Sequence, residues 1–192
     1  MILYLTIIFV ASCTVALFNA LFASMGAGIA VLHTALNVVL MVAIDAIVAL
    51  IVHSVPEEKI DPFKKIFVAS NKERKFYEKL GVRVWKDIIP ESGKALAGFD
   101  KRQVEKPNDN TYILKFLRET CYAGIMHVIS IFACFVVFAF MPYKLSIVLP
   151  VVLTNVFLQV LPVIVQRYNR IRLISLYYFN KRHQEREQNE QN

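Results

Sequence analysis

The sequence predicts an all-α integral membrane protein, in which four transmembrane helices form two hairpins with a cytosolic segment between them. Apolar residues make up 56% of the 192 residues, and the mean hydropathy is +0.48. A soluble chain of this size and composition would tend to aggregate. Of the 22 Lys and Arg residues, 15 lie within 55–119, six follow residue 165, and only Lys144 lies elsewhere.

The segments without basic residues are 2–21, 29–52, 122–140 and 145–165. Each is close to the roughly 20 apolar residues that cross a bilayer as a helix. Short turns at 23–28 and 141–144 separate the members of each pair. The sequence therefore predicts four spans in two hairpins.

The distribution of positive charge predicts the orientation. Basic loops face the cytosol, so the central segment and the C-terminal tail are both expected there, and hence the N-terminus too. We expect a multi-pass protein of a bacterial cell membrane with cytosolic N- and C-termini. Its predicted parts are an N-terminal transmembrane hairpin (1–55), a cytosolic or interfacial segment (56–118), a C-terminal transmembrane hairpin (119–168) and a cytosolic tail (169–192).

A cleaved signal peptide is the alternative interpretation of the first span, because Ala23, Ser24 and Ala27 are small residues. A signal peptide begins with a basic region, and residues 1–14 contain no Lys or Arg. We therefore expect the first span to be retained.

The cysteines Cys13, Cys121 and Cys134 have no CxxC spacing and lie in or beside apolar spans. They are typical of small apolar residues, so no disulfide and no metal site are predicted. The net charge of +7 is concentrated at the predicted cytosolic face. Basic residues there attract anionic headgroups by about 1 kcal/mol each, which favours membrane lipids over nucleic acid as partners.

Residues 71–80 (NKERKFYEKL) predict a short helix within the central segment. Phe76, Tyr77 and Leu80 form its membrane-facing or core-facing side. Gly81 is expected to end the helix, because glycine is common just past a helix C-terminus.

Residues 82–89 (VRVWKDII) alternate in character and predict a short strand or an interfacial ribbon. Trp85 between Arg83 and Lys86 is typical of an anchor at the membrane interface. Residues 92–109 are charged and lack periodicity, which predicts a loop.

Polar residues inside the spans indicate bundle contacts or a site, because each is costly in hydrocarbon. His33 and Asn37 share one face of the second span, and Asp45 lies further along it. A structural hydrogen bond to a neighbouring helix is the favoured interpretation of Asp45, with a functional role or an ion pathway as the alternative.

In the third span, Glu119 and His127 lie two turns apart on adjoining parts of one face. A histidine titrates near neutral pH and can act as a base, and a carboxylate could orient it. A satisfied structural histidine is the alternative interpretation.

The fourth span carries a polar stripe that leads into 166–172 (QRYNRIR): Asn155, Gln159, Pro162, Gln166 and Arg170. The arginines could extend into the headgroups. They could instead bind a phosphate or carboxylate bidentately, as coenzyme A or a lipid headgroup would require.

Three blocks of the sequence resemble the glycosyl-diaponeurosporenoate acyltransferases: 76–87 (FYEKLGVRVWKD), 119–127 (ETCYAGIMH), and Asn155 with 165–173 (VQRYNRIRL). These small membrane enzymes complete a staphyloxanthin-type carotenoid by esterifying its sugar with a fatty acid. The resemblance covers the chain from residue 76 to the end. The family's middle block reads like ETxRAExxH, whereas Tyr122 and Gly124 occupy its basic and carboxylate positions here.

The resemblance implies a membrane-bound acyltransferase that moves a fatty acyl group from a thioester donor to a hydroxyl of a glycolipid or glycosylated isoprenoid. His127 would be the base and Glu119 its orienter. Acyl-CoA or a similar thioester would be a co-substrate, and no bound cofactor is expected. The predicted substrate-binding residues are Asn155, Gln159, Gln166, Arg167, Asn169 and Arg170 for the donor's phosphate or the oxyanion, and Arg83, Trp85 and Lys86 at the cytosolic mouth.

Two other functions are open at the level of sequence. One is a non-catalytic lipid-binding or scaffold membrane protein, in which the polar faces serve helix packing. The other is a small transporter that works through Asp45 and His33, although four spans are few and no inverted repeat is evident. The expected partners are membrane lipids and an amphiphilic lipid acceptor, and the sequence leaves open a homo-oligomer or partner biosynthetic enzymes.

Overall fold

A computed structural model describes residues 2–23, 25–89, 104–140 and 145–190. Within these ranges the regular elements are all helical, which confirms the all-α part of the predicted fold class. The α-helices are α1 (Ile2–Phe22), α2 (Ala27–His53), α3 (Asn71–Lys79), α4 (Val82–Trp85), α5 (Asn110–Ala133), α6 (Val137–Phe140) and α7 (Leu145–Glu190). Short 3₁₀ turns occupy Glu57–Lys59, Lys86–Ile88 and Cys134–Val136.

Among the described residues, four helical stretches are long and apolar enough to cross a membrane: α1, α2, Asn110–Phe140 and α7. The chain is therefore a multi-pass membrane protein, as predicted. The pairing of the spans into hairpins and the cytosolic location of the central segment stay predictions. The expected turn at 141–144 lies outside the described residues.

The chain divides into two compact units. Unit 1 consists of Met1–Ser54 and Ile125–Leu161, and unit 2 consists of Val55–Gly124 and Pro162–Asn192. Helices α5 and α7 contribute residues to both units, so each unit is assembled from two stretches of chain. The four consecutive parts predicted from the sequence stay predictions.

Unit 1 has an apolar core, and it also buries the amide side chains of Asn19 and Asn37. Val15, Met41 and Cys134 belong to the core cluster. Asn19 is fully buried; its Nδ2 donates to the Ser146 carbonyl at 3.2 Å, and its Oδ1 accepts from the Ser146 hydroxyl at 2.5 Å. Such hydrogen bonds between helices satisfy polar groups that lipid would leave unpaired.

Unit 2 is centred on an apolar cluster in which Ile113, Phe116 and Leu117 of α5 pack with Leu173 of α7. Helix α5 begins well before residue 122, where the apolar span starts. The cause is an N-terminal cap: the Asp109 carboxylate accepts from the backbone N–H groups that follow it, at 2.9 and 3.1 Å.

The helix predicted at 71–80 is confirmed as α3. The Ser70 hydroxyl caps its start by accepting from the Glu73 N–H at 3.2 Å. Gly81 has a φ of 63°, the left-handed conformation that favours glycine after a helix. Of the predicted apolar side, Tyr77 is buried, whereas Phe76 and Leu80 are exposed.

The strand or ribbon predicted at 82–89 is wrong. These residues form α4 and a 3₁₀ turn, and Val82 is fully buried while Val84 is 82% exposed. Two residues with this spacing would share a face in a strand but not in a helical turn. Of the predicted loop, 104–109 lies outside the helices, and 92–103 lies outside the described residues.

Candidate active site

The candidate active site in unit 1 is a chain of hydrogen bonds through three helices. His127 Nδ1 on α5 lies 2.5 Å from Gln159 Oε1 on α7. Gln159 Nε2 donates to Asp45 Oδ2 on α2 at 2.7 Å. We call this arrangement the His–Gln–Asp bridge. The hydrogen bond between Asp45 and a neighbouring helix, which the sequence favours, is therefore present.

The bridge fixes which ring nitrogen of the histidine is basic. The Gln159 amide turns its NH₂ toward Asp45 and its oxygen toward His127. That oxygen can only accept, so His127 carries its proton on Nδ1. The neutral imidazole therefore keeps its lone pair on Nε2.

A cavity of about 70 Å³ adjoins the bridge, and Asp45 and Asn155 line it together with apolar side chains of α1, α2 and α7. The Oδ1 of Asp45 and the Nδ2 of Asn155 are both buried and have no hydrogen-bond partner among the described residues. The cavity is too small for a sugar or an acyl chain. It nevertheless places one acceptor and one donor beside the same, mostly apolar, cavity.

Glu119, the predicted orienter of His127, belongs to unit 2 and is buried there. The orienting contact that the structure describes for His127 Nδ1 is made by Gln159 instead. A role for Glu119 in catalysis stays a prediction.

Arg167 belongs to unit 2 and binds Glu73 bidentately. Its Nε and Nη2 donate to the two carboxylate oxygens, the latter at 2.9 Å, and its Nη1 donates to the Ile66 carbonyl at 2.9 Å. The Tyr77 hydroxyl donates to the same carboxylate. We call Glu73, Tyr77 and Arg167 the arginine cluster.

The arginine cluster shifts the ionisation of its members. The hydrogen bond from Arg167 lowers the pKa of Glu73 from its ordinary 4.5 to about 2, against the opposing effect of burial. Burial, and then the adjacent carboxylate, raises the pKa of Tyr77 to about 12. Glu73 is therefore charged and Tyr77 neutral near neutral pH.

Arg170 is 2% exposed, and it too contacts the segment that precedes α3. Its Nη1 donates to the Phe67 carbonyl at 3.2 Å, and its Cζ lies 5.5 Å from the centre of the Phe67 ring. A Cβ at position 124 would lie 2.9 Å from Arg170 Nη2, so the guanidinium occupies the space that a side chain there would need. Gly124 therefore allows Arg170 to pack against α5.

The remaining predicted residues lie in unit 2. The Trp85 indole donates to the Leu80 carbonyl at 3.0 Å. Gln166 is buried, and its backbone carbonyl accepts from Arg170 Nε at 3.4 Å. Arg83 and Lys86 line an open cavity of about 870 Å³. Lys86 also lines an adjoining cavity of about 770 Å³, together with Asn169.

A family model matches residues 60–178, which is more than half of the chain, and its description is glycosyl-4,4'-diaponeurosporenoate acyltransferase. The chain belongs to this family. It is therefore an acyltransferase of a family that acts in carotenoid biosynthesis. No curated protein and no solved structure matches the chain.

The matched range of this family member contains His127, Gln159 and the arginine cluster, but it begins after Asp45. The third member of the bridge thus comes from the N-terminal part of the chain, outside the matched range. Within the described residues, no group of three or more His, Cys, Asp or Glu side chains is placed to hold a metal ion.

The sequence does not indicate Glu73 as the partner of Arg167 or Gln159 as the partner of His127, and substrate binding by Gln159 stays a prediction. Glu73 and Tyr77 lie one turn apart on α3, which was a signal that they share a face. No local pattern connects them with an arginine some 90 residues later. The polar side chains of Asp45 and Gln159 were visible as span residues, but their pairing depends on how helices pack.

Proposed function

We propose that this acyltransferase moves a fatty acyl group from a thioester donor to a sugar hydroxyl of a glycosylated carotenoid or a related isoprenoid glycolipid. The His–Gln–Asp bridge is the observation that carries the proposal, because it prepares one nitrogen of His127 to act as a base. The family supports the class of reaction, since its description names an acyltransferase that acts on a glycosyl carotenoid.

In the proposed reaction, His127 Nε2 removes the proton from the sugar hydroxyl as the oxygen attacks the thioester carbonyl carbon. The tetrahedral intermediate collapses, the carbon–sulfur bond breaks, and the imidazolium returns the proton to the leaving thiolate. The products are an ester and a free thiol. Gln159 and Asp45 hold the ring in the reactive tautomer throughout and stabilise the positive charge that it gains.

The intermediate also needs a donor for its negative oxygen. The Asn155 amide, one turn from Gln159 on α7, supports this role, because its buried Nδ2 has no hydrogen-bond partner among the described residues. Arg167 is already engaged by Glu73, which favours a structural role for it.

The proposal includes a location. The acceptor is amphiphilic and enters from the lipid, and the charged central segment and both termini face the cytosol, where acyl thioesters are made. Partner biosynthetic enzymes or a second copy of this chain would deliver the acceptor.

The test is mass spectrometry of lipid extracts after membranes with the wild-type chain are given an acyl thioester and a glycosylated carotenoid. We expect a new ester, and a loss of roughly 10²- to 10⁴-fold in its rate of formation for His127→Ala and His127→Gln at equal expression. His183→Ala is the matched control, because that histidine lies in an exposed part of α7, paired with Glu187. Its rate should equal that of the wild type.

A wild-type rate in both His127 variants would refute the catalytic role. The alternative function is a non-catalytic lipid-binding protein, and it predicts no ester from any variant. It also predicts that the carotenoid copurifies equally with the wild type and with His127→Ala.

A further inference from the structure

The open cavity of about 870 Å³ in unit 2 is basic. Its charged side chains are Arg74, Glu78, Arg83, Lys86, Asp87 and Arg172. We call this cavity the basic groove. Its size lies in the range of about 300–1,000 Å³ that is typical of small-molecule sites.

The charges of the basic groove are only partly compensated. Arg74 Nε lies 3.0 Å from Glu78, and Lys86 Nζ lies 2.7 Å from Asp87. In the part of the chain that the structure describes, no carboxylate lies within ion-pair distance of Arg83 or Arg172. The described side chains that line the groove thus have an excess of two positive charges, both on arginines, whose planar donors bind phosphate bidentately.

The groove also continues beyond a single anion site. Lys86, Arg172 and Ser175 line the adjoining cavity of about 770 Å³ as well, and Arg182 adds a further positive charge there. Tyr168 lines the first cavity and offers an aromatic surface on which a base can stack. A ligand with several phosphates and an aromatic base fits this distribution better than a single headgroup.

We propose that the basic groove binds the phosphorylated nucleotide end of a coenzyme A thioester, with Arg83 and Arg172 as its main phosphate contacts. This inference rests on the proposed function, because it names the donor of that reaction. Arg83 and Arg172 thereby take the place of Arg167 and Arg170 as the predicted phosphate ligands. Arg167 is bound by Glu73, and Arg170 is buried against Phe67.

The direct test is calorimetric binding of coenzyme A to the full chain in nanodiscs of zwitterionic lipid. We expect the Arg83→Glu, Arg172→Glu double variant to bind at least roughly 10-fold more weakly than the wild type, because each arginine makes charged hydrogen bonds. Dephospho-coenzyme A should also bind the wild type more weakly. The Lys181→Glu, Arg186→Glu double variant makes the same change of charge on the exposed end of α7 and should bind as the wild type does.

Equal binding of coenzyme A by the groove variant and the wild type would overturn the proposal. A preference of the groove for lipid would also overturn it. In that case anionic phospholipid in the nanodiscs would abolish coenzyme A binding, whereas added inorganic phosphate would not. Preference for a lipid headgroup is thereby distinguished from preference for a soluble phosphate.

Kinetics separate the failure of this inference from the failure of the proposed function. With acyl-coenzyme A as donor, the groove variant should raise KM by a similar factor and leave kcat unchanged. With an acyl-pantetheine donor, which lacks the nucleotide, the variant and the wild type should behave alike. Ester formation with equal KM in all variants would reject the groove alone, whereas coenzyme A binding without ester from either donor would reject the proposed function alone.

Discussion

Unit 1 and unit 2 both bury polar side chains, but they use them differently. In the His–Gln–Asp bridge a neutral amide joins an imidazole to a carboxylate, and Asp45 keeps a second oxygen without a partner among the described residues. In the arginine cluster the guanidinium of Arg167 donates to two carboxylate oxygens and a backbone carbonyl.

The difference separates reactive groups from structural ones. A base must be able to gain and lose a proton, which the bridge permits at His127 Nε2. A guanidinium that is always charged and already bound bidentately holds chain segments together instead. We therefore assign chemistry to the bridge and stability to the arginine cluster, and the following changes test that division.

The largest expected effect is on the bridge. Gln159→Leu keeps the approximate volume of the side chain but removes both hydrogen bonds, so His127 loses its fixed tautomer. We expect kcat for ester formation to fall by roughly 10²- to 10⁴-fold with KM nearly unchanged. Asp45→Asn should lower kcat less, because an amide can still accept from Gln159.

The control for this change is Thr154→Val, which also replaces a polar side chain of α7. The Thr154 hydroxyl donates to the Pro150 carbonyl of its own helix, so its loss should leave kcat close to that of the wild type. If Gln159→Leu raised KM and left kcat intact, Gln159 would bind substrate, as the sequence alone predicts.

The arginine cluster should show the opposite response. Arg167→Ala removes a bidentate pair and a bond to the Ile66 carbonyl, so we expect a loss of roughly 2–3 kcal/mol in the free energy of unfolding. Denaturant titration in mild detergent measures it. Arg74→Ala is the matched control, because the Arg74–Glu78 pair is more than half exposed and should cost less than about 1 kcal/mol. Equal losses in the two variants would contradict a special role for Arg167.

Much of the fold could be predicted from the sequence, because lipid imposes simple rules on composition and length. The apolar spans, the helix α3 and its end at Gly81 all follow from local patterns. The segment 82–89 could not be predicted, since its alternation is compatible with a strand until the burial of Val82 and the exposure of Val84 are known.

The candidate site was predictable only in part. The residue type of His127 and its position in a span predict a base, and that role stays a prediction. Glu119, on the same helix, could be proposed as its orienter from the sequence, whereas Gln159 and Asp45 come together with His127 only through helix packing. Residues of one helix can be related by periodicity, and residues of different helices cannot.

A smaller effect tests the packing of Arg170. Gly124→Ala adds a Cβ that would lie 2.9 Å from Arg170 Nη2, so the guanidinium must move away from the Phe67 carbonyl. We expect a net loss of about 1 kcal/mol in the free energy of unfolding, despite the higher helix propensity of alanine. Gly28→Ala is the control, because nothing lies within 4 Å of its added Cβ, and it should be neutral or slightly stabilising. A stabilised Gly124→Ala would show that Arg170 adapts freely.

The smallest expected effect is a dependence of stability on pH that belongs to the arginine cluster. Because Arg167 lowers the pKa of Glu73 from 4.5 to about 2, the unfolded chain binds more protons than the folded chain between these values. The stabilisation from Glu73 is therefore complete above about pH 4.5 and is lost as the pH falls toward about 2.

Glu73→Gln should flatten the decline of the free energy of unfolding between about pH 5 and pH 3, whereas Glu78→Gln, which removes an exposed carboxylate of the same helix, should flatten it less. Arg167→Ala should flatten it as Glu73→Gln does, because the pKa of Glu73 is lowered mainly by that arginine. An unchanged decline in both variants would place the acid sensitivity elsewhere and remove the electrostatic basis for the structural role of the arginine cluster.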